Sequence, residues 1–154
     1  MPRWSPKGDR IAYVASVGGD LQVYTKSLSS STPTQITHEK ESCFFPFWSS
    51  DGTRIYYLRG RYPFTSLSLR SIAVAGGASE QVLNGVYRAD LSPDGKTLAM
   101  LIQDAPGSYR LAFSSPPGTP PKPYSQAPLS EFRSVGTGTA LRFSPSGKYL
   151  GLVG

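Results

Sequence analysis

Trp48-Ser49-Ser50-Asp51-Gly52-Thr53-Arg54-Ile55-Tyr56-Tyr57, or "WSSDGTRIYY", is one of four versions of a single phrase. "WSPKGDRIAY" starts at Trp4, "LSPDGKTLAM" at Leu91 and "FSPSGKYLGL" at Phe143. Every version has a bulky apolar residue, then Ser, then Gly three residues past the Ser, a basic residue nearby and an apolar run. Between the bulky residues the steps are 44, 43 and 52 residues. A period of roughly 40–45 residues made of short strands is the length of one four-stranded propeller blade. The third step is longer because the Pro-rich stretch "SSPPGTPPKPYSQAP", Ser114 to Pro128, enlarges one connection.

Working outward from the phrase gives the rest of the unit. "FFPFW", "YRADL" and "ALRF" precede the turn and read as first strands. Pro presets φ for a turn and Gly accepts the positive φ that other residues resist, so Ser-Pro/Ser-x-Gly reverses the chain. Asp51-Gly52 and Asp94-Gly95 are the strongest turn pairs. "RIAYVA", "RIYYL", "TLAMLI" and "YLGLV" follow, apolar on both alternating sets, which suits strands covered on both faces. A third set, "LQVYTKSL", "LSLRSIAVA" and "SYRLAFS", is diluted with polar residues, as expected nearer the outside. A short fourth segment reads "TQITH" or "EQVLN". Gly and Pro total 30 of 154 residues and no 3.6-residue periodicity is sustained, so helices have no support.

These residues resemble the TolB-like, WD-repeat-like β-propeller family, whose motif runs aromatic-Ser-Pro-Asp-Gly-Lys into an apolar strand. "LSPDGKTLAM" departs only in Leu91. "WSSDGTRIYY" lacks the Pro, "WSPKGDRIAY" the Asp, and Ser146 replaces the Asp in "FSPSGKYLGL". The resemblance implies an all-β fold of β-propeller blades, each of four antiparallel strands. About three to four blades are expected, an incomplete ring, with repeats near 1–43, 44–86, 87–138 and 139–154. The chain is therefore expected to be a fragment or an incomplete gene product, its exposed blade ends calling for missing blades or self-association. The resemblance also favours a bacterial protein in a periplasmic or other extracytoplasmic compartment.

Composition narrows the function. Sixteen Lys and Arg against ten Asp and Glu give a formal charge of +6. The cations stand singly after turns, with no basic run or RNA-binding signature, so nucleic acid is not an expected partner. No apolar stretch is long enough to cross a membrane as a helix. Cys43 is the only cysteine and flanks "FFPFW", which favours a buried thiol. His38 is the only histidine and reads as a loop residue rather than a catalytic base, and no G-x-S-x-G elbow occurs. Asp51 and Asp94 are accounted for by the repeat, while Glu39 and Glu41 read as a solvated charged loop around His38. One Cys and one His cannot make a zinc site, and no cofactor fingerprint is present.

Two features depart from the repeat. "RGRYPFTS" replaces a simple hairpin loop with Arg59, Arg61 and Tyr62, residue types enriched at binding hot spots. Pro117, Pro120, Pro121 and Pro123 give a loose P-x-x-P spacing suited to polyproline II recognition, or simply a stiff extended connection. The expected function is a non-enzymatic scaffold whose loops contact a protein or peptide. The alternative is an accessory propeller of a larger enzyme, such as a prolyl-oligopeptidase-like peptidase or a bacterial Ser/Thr kinase.

Overall fold

The computed structural model describes residues 2–61, 67–126, 132–133, 136 and 138–153. The chain divides into two compact units, Met1–Asn84 and Gly85–Gly154. Within the first, β1 (Arg3–Trp4), β2 (Arg10–Val17), β3 (Asp20–Ser27) and β4 (Thr34–Gln35) form one antiparallel meander. β5 (Ser42–Trp48), β6 (Arg54–Gly60), β7 (Ser68–Ala73) and β8 (Glu80–Asn84) form a second. In the second unit β9 (Val86–Leu91), β10 (Leu98–Ala105), β11 (Ser108–Ser114) and β12 (Lys122–Pro123) repeat the pattern. There β13 (Phe132–Arg133) also pairs with β11. β14 (Ala140–Phe143) and β15 (Leu150–Val153) pair as the opening hairpin of a fourth repeat. Each meander is a propeller blade, and no helix occurs among the described residues.

The recurring phrase owes its residue types to one turn, built four times. In the second blade Ser49 Oγ donates to Asp51 Oδ1 at 2.6 Å and accepts from the Arg54 amide at 2.9 Å, while Asp51 Oδ1 accepts the Thr53 amide at 3.0 Å. Gly52 sits at φ 72°, a conformation open to Gly at little cost. The third blade reproduces this with Ser92, Asp94, Lys96 and Thr97. Lys7 stands where the Asp belongs in the first blade, and Ser5 turns to Asp9 instead at 2.8 Å. In the fourth, Ser146 takes the position and meets Ser144 at 3.2 Å.

The first unit's core lies between its two blades. Ala12, Val23 and Ile36 of the first blade are buried with Cys43, Trp48, Ile55, Tyr57 and Ile72 of the second. A fully buried apolar side chain of this size contributes roughly 1.5–3 kcal/mol. The Trp48 indole N–H donates to the Arg3 carbonyl at 2.9 Å, satisfying the one polar atom of that ring. In the second unit Val86, Leu98, Met100, Leu101, Leu111 and Leu141 are buried. Two charged residues of β9 are buried with them. Arg88 donates to the carbonyls of Tyr87 and Thr139, both at 2.7 Å, and Asp90 accepts the Phe143 amide at 2.8 Å.

The structure departs from the sequence reading in three places. β7 is largely buried rather than half-solvated, because Leu69 and Ile72 pack inward while the polar members of the strand hydrogen-bond. Within β5 the ladder slips between Phe44 and Phe47. Pro46 has no amide to donate there, and Phe45 takes φ 51°. The Pro-rich stretch is not a free extended connection. Lys122 and Pro123 close the third blade as its outer strand against Phe113 and Ala112.

Candidate functional site

The connection from β4 to β5 carries His38, Glu39, Lys40 and Glu41, and its path is fixed by side chains of the first blade. Thr37 Oγ1 accepts the Val23 amide at 2.8 Å and donates to Gln22 Oε1 at 2.8 Å. Gln22 then grips the backbone of Glu39 from both sides: its Oε1 accepts the Glu39 amide at 3.1 Å, and its Nε2 donates to the Glu39 carbonyl at 3.0 Å. This two-point hold directs the Glu39 side chain onto the second blade.

There the carboxylate is enclosed by donors. Tyr57 Oη donates to Oε1 at 2.6 Å, Ser79 Oγ to Oε1 at 2.7 Å and Arg59 to Oε2 at 3.2 Å. Arg70 Nε stands 3.4 Å from Oε1 and also donates to Ser79 Oγ at 3.0 Å. Burial raises the Glu39 pKa, but the hydrogen bonds from Tyr57, Ser79 and Arg59 outweigh it, and the net shift is downward. Burial, then the bond to Glu39, pushes the Tyr57 hydroxyl upward. Glu39 is therefore an ionised hub and not part of a solvated loop, which corrects the sequence reading. Its donors lie 18, 20 and 40 residues away.

Outside this hub the same groups shape an open depression of about 550 Å³ lined by His38, Glu39, Lys40, Glu41, Arg59 and Arg61. Arg59 Nε and Arg61 Nε approach Glu41 at 3.4 and 3.3 Å, ion-pair distances. His38 and Lys40 are exposed, and the Arg61 side chain is 76% exposed. Three cations thus face two carboxylates, one of which is already committed to the hub.

Of the residues singled out in the sequence, Arg59 and Arg61 line this depression, and Tyr62 lies outside the described residues. Arg59 is half committed to structure through Glu39, whereas Arg61 pairs only with Glu41 among the described residues. Pro117, Pro120, Pro121 and Pro123 belong to the second unit and form a separate candidate. Pro120 and Pro123 are exposed. The turn beneath them is tied by Ser114 Oγ, which donates to the Thr119 carbonyl at 2.7 Å, and by Thr119 Oγ1, which donates to the Pro116 carbonyl at 2.8 Å. This turn leads into β12, where Pro123 pairs with Ala112.

The depression is lined by charged and hydrogen-bonding side chains. Cys43, whose Sγ lies 3.8 Å from the Glu41 carbonyl, is fully buried, its thiol pushed up to about 12 by burial. Among the described residues no group of three or more His, Cys, Asp or Glu gathers closely enough to hold a metal.

No protein-family model and no curated protein matches the sequence. Solved structures do match. A TolB from Acinetobacter baumannii shares 21% identity at a TM-score of 0.73 over 97% of this chain and 36% of its own. A TolB-type structure from Agrobacterium tumefaciens shares 20% at 0.71, over 85% of this chain and 48% of its own. The acylaminoacyl peptidase of Pyrococcus horikoshii shares 13% at 0.60, over 93% of this chain and 26% of its own. The chain thus has the fold of a TolB-like partial β-propeller and spans less than half the length of each of these structures.

Proposed function

We propose that this propeller segment is a non-enzymatic scaffold that binds a protein or peptide through the charged depression of its first unit. The observation that carries the reading is the division of labour there. Glu39 is held by Tyr57, Ser79 and Arg59, while Arg61 and Lys40 remain outside on a rigid base. Exposed cations on a preorganised frame suit an extended segment bearing carboxylates, since little ordering cost remains for the frame. The cations are few and have carboxylates among them, which suits a peptide better than a phosphate backbone.

A random-peptide display selection on the immobilised chain, followed by titration calorimetry of the enriched sequences, tests this. Enrichment of acidic peptides whose binding is lost with Arg61→Glu and weakened by salt supports the site. Failure to enrich any sequence, or binding indifferent to Arg61→Glu, rejects it. Likeness to peptidase propellers favours a second reading, an accessory part of a larger hydrolase whose chemistry lies elsewhere. Peptidase activity appearing only when a hydrolase domain is encoded in the same gene would favour that reading.

A further inference from the structure

Trp4, Ile11 and Tyr13 of the first blade recur 44 residues later as Trp48, Ile55 and Tyr57 of the second. The register is the same in both blades, Trp4 opposite Ile11 and Trp48 opposite Ile55. Their surroundings differ. Trp48 is 7% exposed and Ile55 and Tyr57 are fully buried, because this face packs on the first blade. Trp4 is 61% exposed, and Ile11 and Tyr13 are only half-buried. An exposed Trp beside half-buried Ile and Tyr is a face built for burial.

The junction inside the first unit shows what such a face accepts. Trp48 takes the Arg3 carbonyl, in a strand where Arg3 is paired with the small Ala12. Among the described residues the fourth repeat carries the β1–β2 part of that arrangement, without counterparts of Val23 and Ile36. "RFSP" at Arg142 matches "RWSP" at Arg3, and Arg142 is paired with Gly151, which is exposed. Two solved structures that this chain resembles extend beyond the part it covers, which is 48% and 36% of their lengths.

We propose that the Trp4 face docks a second copy of this chain, head to tail, with the Trp4 indole donating to the Arg142 carbonyl beside Gly151. The contact is heterologous: head and tail are different surfaces, so each copy offers one of each.

Sedimentation velocity of the full chain over a concentration series tests this, with two variants. Trp4→Ala removes the head. Gly151→Arg blocks the tail at an exposed position where an added Cβ meets only the Arg142 carbonyl, at 3.8 Å. Thermal melts by circular dichroism show that each variant is folded. Tyr13→Asp, on the same face as Trp4, replaces Trp4→Ala if that variant fails to fold. The wild type should self-associate, and either variant alone should raise the dissociation constant on the order of tenfold or more. An equimolar mixture of the two should recover one contact and form heterodimers but nothing larger. If the wild type pellets, Trp4→Ala should restore solubility. A wild type that stays monomeric throughout, association or pelleting untouched by both substitutions, or a mixture that stays monomeric would each overturn the proposal. None of these outcomes depends on Arg61 or on peptide binding.

Discussion

The Trp48 indole reaches across 45 residues to the Arg3 carbonyl at 2.9 Å, joining the first strand of the second blade to that of the first. The bond is buried at the Trp48 end, so losing it removes one of the contacts that join the two blades. Trp48→Phe, which keeps most of the volume, should cost about 1 kcal/mol, and Trp48→Ala roughly 3–5 kcal/mol. Trp4→Ala, at the matching but exposed position, should cost under about 0.5 kcal/mol in the monomer. Urea unfolding of the three variants checks the contrast. Equal losses at Trp4 and Trp48 would show that the junction is not the source of the stability.

Glu39 should be the residue through which acid weakens the first unit. Its folded pKa lies below its ordinary value, so its contribution is present above the unfolded pKa and is lost as pH falls through the folded one. Glu39→Gln removes the charge that Arg59 and Arg70 face. With the Glu39 side chain 15% exposed and Arg59 30% exposed, solvent screens part of the loss. A cost of roughly 2 kcal/mol at neutral pH is expected. The variant's stability should also fall less steeply than wild type on acidification. Parallel pH profiles for the two proteins would contradict the hub.

The four turns and their following strands are legible because their chemistry is local. Ser49 reaches Asp51 two residues on and Arg54 five residues on, so a ten-residue phrase contains the whole motif. Trp4 and Trp48 read identically, and only the presence of a neighbouring blade separates them. Glu39 was hidden for a related reason, its partners being supplied by strands far along the chain. Arg88 and Asp90 gave no signal either. "YRADL" reads as a plain strand, although both charged groups are buried and tie it to Thr139 and Phe143. The outer strand Lys122–Pro123 was obscured by proline, which is tolerated at a sheet edge because no inward amide is required.

The turn chemistry makes its own prediction. Ser49 Oγ, then the Thr53 amide, hold Asp51 down at about 2. Ser49→Ala should let the Asp51 carboxyl rise toward the ordinary aspartate value in an NMR titration. It should also cost about 1 kcal/mol through the amide of Arg54 left without its acceptor. Ser92→Ala should act alike on Asp94, which is lowered by Ser92 first and the Lys96 amide second. An unmoved Asp51 titration would mean that Ser49 does not set it.

Cys43 offers a reporter for opening of the first unit. Its thiol is fully buried and pushed up to about 12, with Gln22 Oε1 at 3.9 Å as a weak partner. At pH 8 only about one molecule in ten thousand would carry the thiolate that attacks a disulfide reagent. Native labelling must therefore proceed through opening of the junction between the two blades, where the Trp48 and Glu39 contacts are broken. Reaction with an aromatic disulfide reagent should be slow in buffer and fast in denaturant. Glu39→Gln and Trp48→Phe should each speed the native reaction by the factor their stability loss predicts, about tenfold per 1.4 kcal/mol when closing outpaces labelling. Arg61→Glu, which leaves the Glu39 contacts in place, should change it far less. Rapid labelling of the folded wild type would place the thiol at the surface and remove the buried junction on which the Trp48 and Glu39 predictions rest.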